Sequence, residues 1–544
     1  MNQKVDQPFL EKYEFLIPLA LFLLFLALTL PGIAWGAPST WHPDEIVIRS
    51  LNALFGDYRF DEVNFDYPTL PQYVMYGLGK IILALGYGYR EIFVSARVLS
   101  AVLAGLTIVL AYRICRRVGG TVYVAGLSGL FLICVSEMEH NGRFAHNDTY
   151  LIFFTTLAVL CLIEYFNGQN KAWLYGAFVL VGMAASCKYI GGSLLIVPLT
   201  VYLIEQKQDI WKAPLAIAET LFIGSALTFL GFAAGTPKAL FWMTYYFKRV
   251  FAALQWQVVY GKQPDSVRGF IGQYGVLANG LGLALVLLFG AALIWAIYRV
   301  FQAYRNKEIK PGSQSGGFAI LLFAILVLDL PMMISYNYQL RYFLTLMPLV
   351  AVFAAFFVEA LYQQAAQNDK SIYRWIVSAG ISLIVLYSIA RVISLMLMVV
   401  YDARIPASEF IKTLPTGTSL EQTYYPPTIP ENHFEREHNY PIYFQKAGEP
   451  LPTNKNYKFN VGESGLDERR TDYLVVDGFT SEKFADPFVC SAMQVECDFF
   501  NQLATGRSNH YKLLAEFKYT LPPYLPRIDV LFINPSIRIY ERIK

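Results

Sequence analysis

The fold is decided first by residues 15–45, which read FLIPLALFLLFLALTLPGIAWGAPSTWHPDE. An apolar run long enough to cross a bilayer, which takes about 20 residues, is followed within a few positions by acidic side chains. The same alternation of apolar runs and polar loops continues to about residue 400. The sequence therefore predicts an α-helical polytopic membrane protein rather than a soluble enzyme.

Composition agrees with this interpretation over the whole chain of 544 residues. Hydrophobic residues make up 55% and charged residues only 16%, whereas a soluble domain carries about 25% charged residues. The net charge of +3 is too small to indicate a nucleic-acid-binding protein. Because charged residues and prolines are concentrated near the C-terminus, we expect a transmembrane domain over 1–400 and a soluble α/β domain over 401–544.

About eleven transmembrane helices are predicted, with two short ones on either side of a break at Cys187-Lys188-Tyr189. They are 15–35, 92–112, 118–136, 149–166, 174–187, 190–204, 214–235, 276–298, 317–335, 341–361 and 375–400. Lys and Arg of the short loops lie on the side of the N-terminus, and such residues favour the cytoplasm. We expect a multi-pass protein of the plasma (inner) membrane with a cytoplasmic N-terminus, a long first external loop over 36–91 and an extracytoplasmic C-terminal domain.

Polar residues gather on the outer side of these spans. The first loop carries Asp44, Glu45 and further acids, and its segments 43–55 and 70–86 have the pattern of helices lying along the membrane. The other polar clusters are 137–148, the break at Lys188, 336–342 and the loop 236–275. A helix start after Pro43 also explains Asp44 and Glu45, and an interfacial anchor explains each cation alone. Because acids and cations share one face, we expect a cavity where an anion meets a general base.

Transfer from a lipid phosphate is the chemistry that suits such a cavity. Arg and Lys bind the anionic donor head and stabilise the phosphate as it leaves. A carboxylate takes the proton that an acceptor hydroxyl or amine loses as it attacks. The alternatives are a transporter or flippase of lipid-linked sugars, which would carry ionisable residues near mid-membrane, and an assembly protein whose C-terminal domain is the functional part.

The stretch Trp41-His42-Pro43-Asp44-Glu45 resembles the Asp-Glu motif in the first loop of the GT-C glycosyltransferases, which use polyprenyl-phosphate-linked sugars. The resemblance is greatest to the group of protein O-mannosyltransferases and aminoarabinose transferases. It covers 15–400 in outline. It rests on the order of the short motifs along the chain and on their expected position on one side of the membrane. The further matches are Tyr67-Pro68, the stretch from Arg143 to Asp148, Lys188 in its glycine-flanked break, and Arg341-Tyr342.

The resemblance implies an inverting transfer in one displacement to an acceptor on a protein, lipid or glycan. The residues that it implies as catalytic are Asp44, Glu45 and Asp148. Those that it implies as binding the donor phosphate or sugar are Arg143, Lys188, Arg341 and Tyr342. Candidates for the acceptor site or a lid are Asp66, Tyr67, His146, Trp242, Tyr245 and Arg249.

Neither a metal nor a disulfide framework is required by the sequence. No ligand spacing demands a metal, although some members of the superfamily use a divalent cation, for which His42, Asp44 and His146 are the candidates. We expect no cofactor beyond the donor substrate, the polyprenyl-phosphate-linked sugar. Cys490 and Cys497 are expected to pair in an oxidising compartment.

The C-terminal domain has a mixed helix and strand pattern. A helix at 407–414 is followed by a loop-like stretch over 424–470 that is rich in Pro, Asn and charge. Strands are predicted at 418–423, 472–476, 512–519, 528–533 and 537–540.

Overall fold

A computed structural model of the chain describes residues 13–56, 67–207, 212–255, 258, 267–336, 339–367, 371–439, 462–528 and 530–543. These residues form two compact units. Unit 1 comprises the described parts of Met1–Ile33 and Asp44–Ile393, and unit 2 those of Ala34–Pro43 and Ser394–Lys544. The segment Ala34–Pro43, which directly precedes Asp44 in the chain, therefore belongs with the C-terminal unit.

Unit 1 is helical, and each of the eleven predicted spans coincides with an apolar helix. Among the described residues, the helices long and apolar enough to cross a membrane are Tyr89–Arg117, Asn147–Gly168, Pro214–Gly235, Leu283–Arg305, Gln314–Ile334, Met347–Gln367 and Ser371–Val400. The helices Val122–Ile133 and Ser136–Gly142 meet at a bend of 66°. They add an eighth membrane-length element if they form one span. Three shorter apolar helices are Leu16–Thr29, Lys171–Ala185 and Tyr189–Glu205. The predicted fold class is confirmed, whereas the number of crossings stays a prediction.

Small residues bring two of these helices into close contact. A Cβ on Gly182 would lie 2.0 Å from the carbonyl oxygen of Thr228, and one on Gly231 would lie 2.3 Å from that of Val179. Backbones approach this closely in membranes where glycine faces a neighbouring helix. The contact fixes Lys171–Ala185 against Pro214–Gly235 and so places the break at Lys188 that follows.

The polar loops of unit 1 contain short helices. These are Val47–Phe55, Leu70–Ala84, Lys238–Phe241, Met243–Gln255, Gly269–Leu281 and the 3₁₀-helix Leu340–Phe343. The first two confirm the helices predicted at 43–55 and 70–86. The predicted start of the helix at 43–55 is wrong by several residues. The helix begins at Val47 and has no acid in its first turn.

Unit 2 is built on a mixed five-stranded sheet. The strands are β1 (Ser419–Gln422), β2 (Arg436–Asn439), β3 (Tyr473–Asp477), β4 (Tyr511–Phe517) and β5 (Ile537–Arg542), in the order β2-β1-β3-β5-β4. β1 runs parallel to β2 and β3, and β5 runs antiparallel to β3 and β4. The helices of this unit are Arg404–Ile411, Gly462–Arg469, Gly478–Ser481, Pro487–Ala492 and Gln494–Ala504, with the 3₁₀-helix Glu482–Ala485.

Alternate side chains of β3 enter two cores. Val475 packs with the helix Arg404–Ile411 in one core, and Leu474 and Val476 pack with the helix Gln494–Ala504 in the other. Successive strand residues point to opposite faces of a sheet, so a sheet covered on both sides has the nearly continuous apolar run that β3 shows.

The strands predicted at 418–423, 472–476, 512–519 and 537–540 are confirmed within two residues. The strand predicted at 528–533 is wrong, since Phe532 adopts a positive φ of 69° in a turn. The loop predicted over 424–470 is also wrong in part, because it contains β2 and the helix Gly462–Arg469; residues 440–461 lie outside the described residues. The expected pairing of Cys490 with Cys497 is confirmed.

Candidate active site

Asp44 lies in a turn before the helix Val47–Phe55 and leaves that helix uncapped. Its carboxylate Oδ2 is 2.5 Å from a terminal nitrogen of Arg341, and its side chain is 29% exposed. The interpretation of Asp44 as a helix N-terminus is therefore wrong. Its carboxylate is paired with Arg341 and is partly exposed.

Asp148 is the second residue of the helix Asn147–Gly168 and is almost fully buried. Its carboxylate lies 2.7 Å from Nζ of Lys188, 3.1 Å from Nδ1 of His146 and 3.9 Å from Nε of Arg341. The positive end of the helix dipole also favours a carboxylate at this position. Asp148 is thus an anchoring acid that holds cations in place.

Lys188 owes its position to the break between two helices. The side-chain amide of Asn147 donates to the carbonyl of Cys187 at 3.0 Å, which ties the break to the start of the Asp148 helix. Nζ of Lys188 lies 4.2 Å from the centre of the Tyr342 ring, within cation–π range. The ammonium group therefore contacts an acid and an aromatic face together.

Arg341 bridges the two carboxylates from the 3₁₀-helix Leu340–Phe343. Burial opposes its charge, but Asp148 and Asp44 outweigh burial and raise the pKa of Arg341 above its ordinary value. Tyr67 lies beside the same groups, with its ring 6.1 Å from that of His146. Burial, reinforced by Tyr342, raises the pKa of Tyr67 to about 12, so its phenol stays a hydrogen-bond donor.

These residues form one charge cluster next to a large cavity. We define the charge cluster as Asp44, Tyr67, His146, Asp148, Lys188, Arg341 and Tyr342. The cavity has a volume of about 1170 Å³, and all of the charge cluster except Asp44 and His146 lines it. Most of its remaining lining is apolar, including Leu151, Phe232 and Phe247. A mainly apolar cavity with a few convergent polar groups is typical of a ligand site.

Glu45 points away from this cavity into the fold. Its two oxygens each accept a hydrogen bond of 2.7 Å from Arg97, and one also accepts from the backbone N–H of Ala145 at 3.2 Å. The backbone N–H of Ile46 donates to the carbonyl of Ala145 at 3.0 Å. Glu45, implied as catalytic by the resemblance, thus fixes the loop of Asp44 to the loop that leads to Asp148.

Arg143 is buried, and its guanidinium group donates hydrogen bonds within the protein. Its three guanidinium nitrogens donate to Glu139, to the carbonyl of Pro31 and, at 2.6 Å, to the carbonyl of Leu28. Each nitrogen is already bound within the protein and the side chain is only 2% exposed, so its position gives no support to the predicted contact with the donor phosphate. The spacing Glu139-x-x-x-Arg143 is the sequence signal for such a pair on one helical turn.

The helix Met243–Gln255 divides the residues predicted for a lid. Arg249 lines the cavity, whereas Trp242 and Tyr245 are each 44% exposed and are not among the lining residues. Tyr246 and Phe247 line the cavity instead. Their helical spacing from Val250 is the signal that could have identified this face. Asp66, the remaining candidate, lies outside the described residues.

Within the described residues, no group of three or more His, Cys, Asp or Glu side chains is placed to hold a metal ion. Both carboxylates of the charge cluster are instead paired with Lys or Arg. Arg49, which sequence reasoning missed, lies near the charge cluster with its guanidinium carbon 6.0 Å from the Tyr67 ring centre.

Replacing Arg341 with Lys should weaken binding of the donor phosphate. The charge is kept, but one ammonium cannot reproduce the fork that spans Asp44 and Asp148. A hydrogen bond to a charged group is worth about 1.5–3 kcal/mol, so we expect the Kd for polyprenyl phosphate to rise roughly tenfold or more. Titration of purified variants measures it, with Arg268→Lys, at the start of the helix Gly269–Leu281, as the matched control. Unchanged affinity in Arg341→Ala would remove Arg341 from the site.

The chain matches known proteins in sequence over part of its length. Residues 82–254 match the family model of dolichyl-phosphate-mannose-protein mannosyltransferase. The matched range contains Asp148 and Lys188 but neither Asp44 nor Arg341. A protein of Aquifex aeolicus (strain VF5) described as uncharacterized is 24% identical over 307 residues, which is 54% of this chain and 55% of that protein. The chain thus spans about half the length of this relative.

Solved structures extend the similarity to nearly the whole chain. The oligosaccharyltransferase AglB of Archaeoglobus fulgidus, in complex with an inhibitory peptide and a dolichol-phosphate, aligns with 98% of this chain and 89% of its own, at 12% identity and a TM-score of 0.52. ArnT from Cupriavidus metallidurans bound to undecaprenyl phosphate aligns over 95% and 97%, at 13% identity and a TM-score of 0.47. The family match and the fold shared with AglB confirm the resemblance to the polyprenyl-phosphate-dependent glycosyltransferases of the GT-C superfamily.

Proposed function

We propose that the protein is an inverting glycosyltransferase that moves a sugar from a polyprenyl-phosphate carrier to an acceptor hydroxyl or amine. The observation that carries the proposal is the bridge from Arg341 to Asp44 and Asp148 beside Lys188, at the border of a large apolar cavity. The cations can bind a phosphate, the apolar walls can bind a polyprenyl chain, and the carboxylate of Asp44 can act as a base.

Donor binding would also activate the base. A phosphate competes with Asp44 for Arg341, because both are anions that accept its hydrogen bonds. When the phosphate takes Arg341, the ion pair between Arg341 and Asp44 opens and the carboxylate of Asp44 can turn to the acceptor. The ion pair therefore holds the base in place until a donor has bound.

The reaction follows from these positions. The acceptor oxygen or nitrogen attacks the anomeric carbon from the side opposite the phosphate and forms the new glycosidic bond. The bond from the anomeric carbon to the phosphate oxygen breaks, and its electron pair leaves on the polyprenyl phosphate. Asp44 takes the acceptor proton, while Lys188 and Arg341 stabilise the charge that grows on the phosphate.

The test is transfer by the purified full-length protein. Polyprenyl-phosphate sugars are presented in detergent with protein, lipid and glycan acceptors, and free polyprenyl phosphate is measured by mass spectrometry. The proposal expects release of polyprenyl phosphate in equal amount to glycosylated product. Movement of intact donor across proteoliposome membranes, without cleavage, would favour a transporter of lipid-linked sugars instead.

The proposed site faces the extracytoplasmic side of the plasma membrane, where donor lipids, membrane lipids and acceptors would meet. The support is the distribution of Lys and Arg, which favours a cytoplasmic N-terminus. A reporter that is active only in the cytoplasm, fused after Lys544, should therefore stay silent. The same reporter fused near residue 310, in a loop expected inside, is the positive control. A bright C-terminal fusion would reverse the topology.

A further inference from the structure

Unit 2 contains a second, smaller cavity, which we call the tail groove. It has a volume of about 250 Å³. One wall comes from the segment before Asp44, and the other from the end of β1, the residues that follow it and one residue of β2. Among the lining residues are Ser39, Thr40, Trp41, Gln422, Tyr424 and Glu437.

The sheet side of the tail groove is fixed in advance. Open α/β sheets bind ligands beyond the carboxyl ends of parallel strands, and Gln422 ends β1 at such an edge. The buried carboxylate of Asp477 accepts hydrogen bonds from Thr423 Oγ1 at 2.5 Å and from the backbone N–H of Tyr425 at 3.0 Å. The turn that presents Tyr424 is therefore held on both sides.

The opposite wall is fixed by a stacked arginine. The guanidinium of Arg404 lies 4.8 Å from the ring centre of Trp35 and 4.5 Å from that of Trp41, and it pairs with Asp402 at 2.8 Å. Asp402 also accepts a hydrogen bond of 2.9 Å from the indole of Trp35. A Cβ on Gly36 would lie 2.4 Å from the Trp41 ring, so only glycine fits there. Both walls are rigid before any ligand arrives.

The chemistry of the tail groove suits a neutral polyhydroxylated ring. The hydroxyls of Ser39 and Thr40 and the carboxylate of Glu437, which accepts from the Gln422 amide at 2.9 Å, can donate to or accept from ligand hydroxyls. Tyr424 is 63% exposed and offers a flat apolar face. Within the described residues, the buried indole nitrogen of Trp41 has no hydrogen-bond partner. The volume suits a ligand smaller than most, since small-molecule sites usually span about 300–1,000 Å³.

An extended peptide fits the tail groove less well. Peptides commonly bind by adding a strand to an open sheet edge, through backbone hydrogen bonds. β1 is paired with β2 on one side and with β3 on the other, so a peptide cannot add to β1.

We propose that the tail groove binds the acceptor of the transfer reaction and that this acceptor is a carbohydrate. The inference rests on the proposed function and names its acceptor class. Pro43, which lines the groove, is followed directly in the chain by Asp44, the proposed base.

The experiment titrates the full-length protein with a panel of neutral oligosaccharides and methyl glycosides, including methyl α-mannopyranoside, and with acceptor-like peptides. The wild type should bind at least one saccharide, and Tyr424→Ala should raise its Kd at least about tenfold. Tyr524→Ala removes an 82% exposed tyrosine of the same unit that does not line the groove, and should bind normally. Binding of polyprenyl phosphate should be equal in all three proteins.

Three outcomes would overturn the inference: no saccharide binding by the wild type, equal losses in Tyr424→Ala and Tyr524→Ala, or binding of peptides alone with sensitivity to Tyr424. Failure of the proposed function would be seen separately, as loss of polyprenyl-phosphate binding or cleavage in the wild type. The two hypotheses therefore fail in different measurements.

Discussion

Asp44→Asn is expected to lower the rate of sugar transfer at least about a hundredfold while polyprenyl phosphate still binds. General-base help is worth about 10²–10⁴-fold in rate, or roughly 3–5 kcal/mol of barrier. The asparagine keeps the shape of Asp44 and can accept the hydrogen bond of Arg341 through its carbonyl oxygen. It cannot take the proton of the acceptor, so the loss should appear in the chemical step, while the Kd for the donor should not rise.

Glu91→Gln provides the matched control for this substitution. Glu91 is an acid in the first turn of the helix Tyr89–Arg117, and its side chain is 41% exposed. Its replacement should leave transfer near normal. Near-normal transfer by Asp44→Asn, together with an inactive Asp148→Asn, would instead assign the base to Asp148.

Glu45→Gln is expected to lower the free energy of unfolding by about 3–5 kcal/mol, the usual cost of removing one partner of a buried ion pair. The substitution leaves the buried guanidinium of Arg97 without its carboxylate, which accepts two hydrogen bonds of 2.7 Å. Thermal unfolding of the purified variant measures the change. Arg90→Gln breaks an exposed pair with Glu91 at 3.9 Å and should cost at most about 1 kcal/mol.

A double variant separates a positioning role of Glu45 from a catalytic one. Replacing both Glu45 and Arg97 by Met removes the charges together, and buried ion pairs replaced by apolar residues are often neutral in stability. If Glu45 only positions the loop, the double variant should recover stability and transfer more than Glu45→Gln does. A stable but inactive double variant would indicate that the carboxylate of Glu45 itself acts in the reaction.

The sequence could predict the apolar helices, because hydropathy is a local property. It could not distinguish cations that face the cavity from cations that bind within the fold. Arg143 and Arg341 both lie in polar stretches between apolar helices, yet Arg143 is bound by Glu139 and two carbonyls, and Arg341 bridges two acids of the charge cluster. Partners 297 positions apart, such as Arg341 and Asp44, depend on tertiary contacts.

The different partners of the adjacent acids Asp44 and Glu45 also could not be predicted from the sequence. A helix through both residues would turn their side chains about 100° apart. In the structure both residues lie in the turn before Val47, where Asp44 pairs with Arg341 and Glu45 pairs with Arg97. Pro43 and two adjacent acids fit either conformation, so local preference does not choose between them.

The domain border illustrates a different limit. Composition changes near residue 400, but Ala34–Pro43 joins the C-terminal unit through cation–π contacts and a hydrogen bond. Trp35 and Trp41 stack on Arg404, more than 360 positions later in the chain. From the sequence alone, two tryptophans after an apolar helix also fit the aromatic belt of a membrane interface. Contacts with residues far along the chain determine where this segment packs.

Single-turnover cleavage of a labelled polyprenyl-phosphate sugar by the purified protein tests most directly whether the charge cluster is a glycosyl-transfer site. The wild type should convert bound donor to polyprenyl phosphate and glycosylated acceptor in equal amounts. Asp44→Asn should bind the same donor and convert it at least about a hundredfold more slowly. Equal conversion by the wild type and Asp44→Asn, or a wild type that binds the donor but leaves it intact with every class of acceptor, would contradict this assignment.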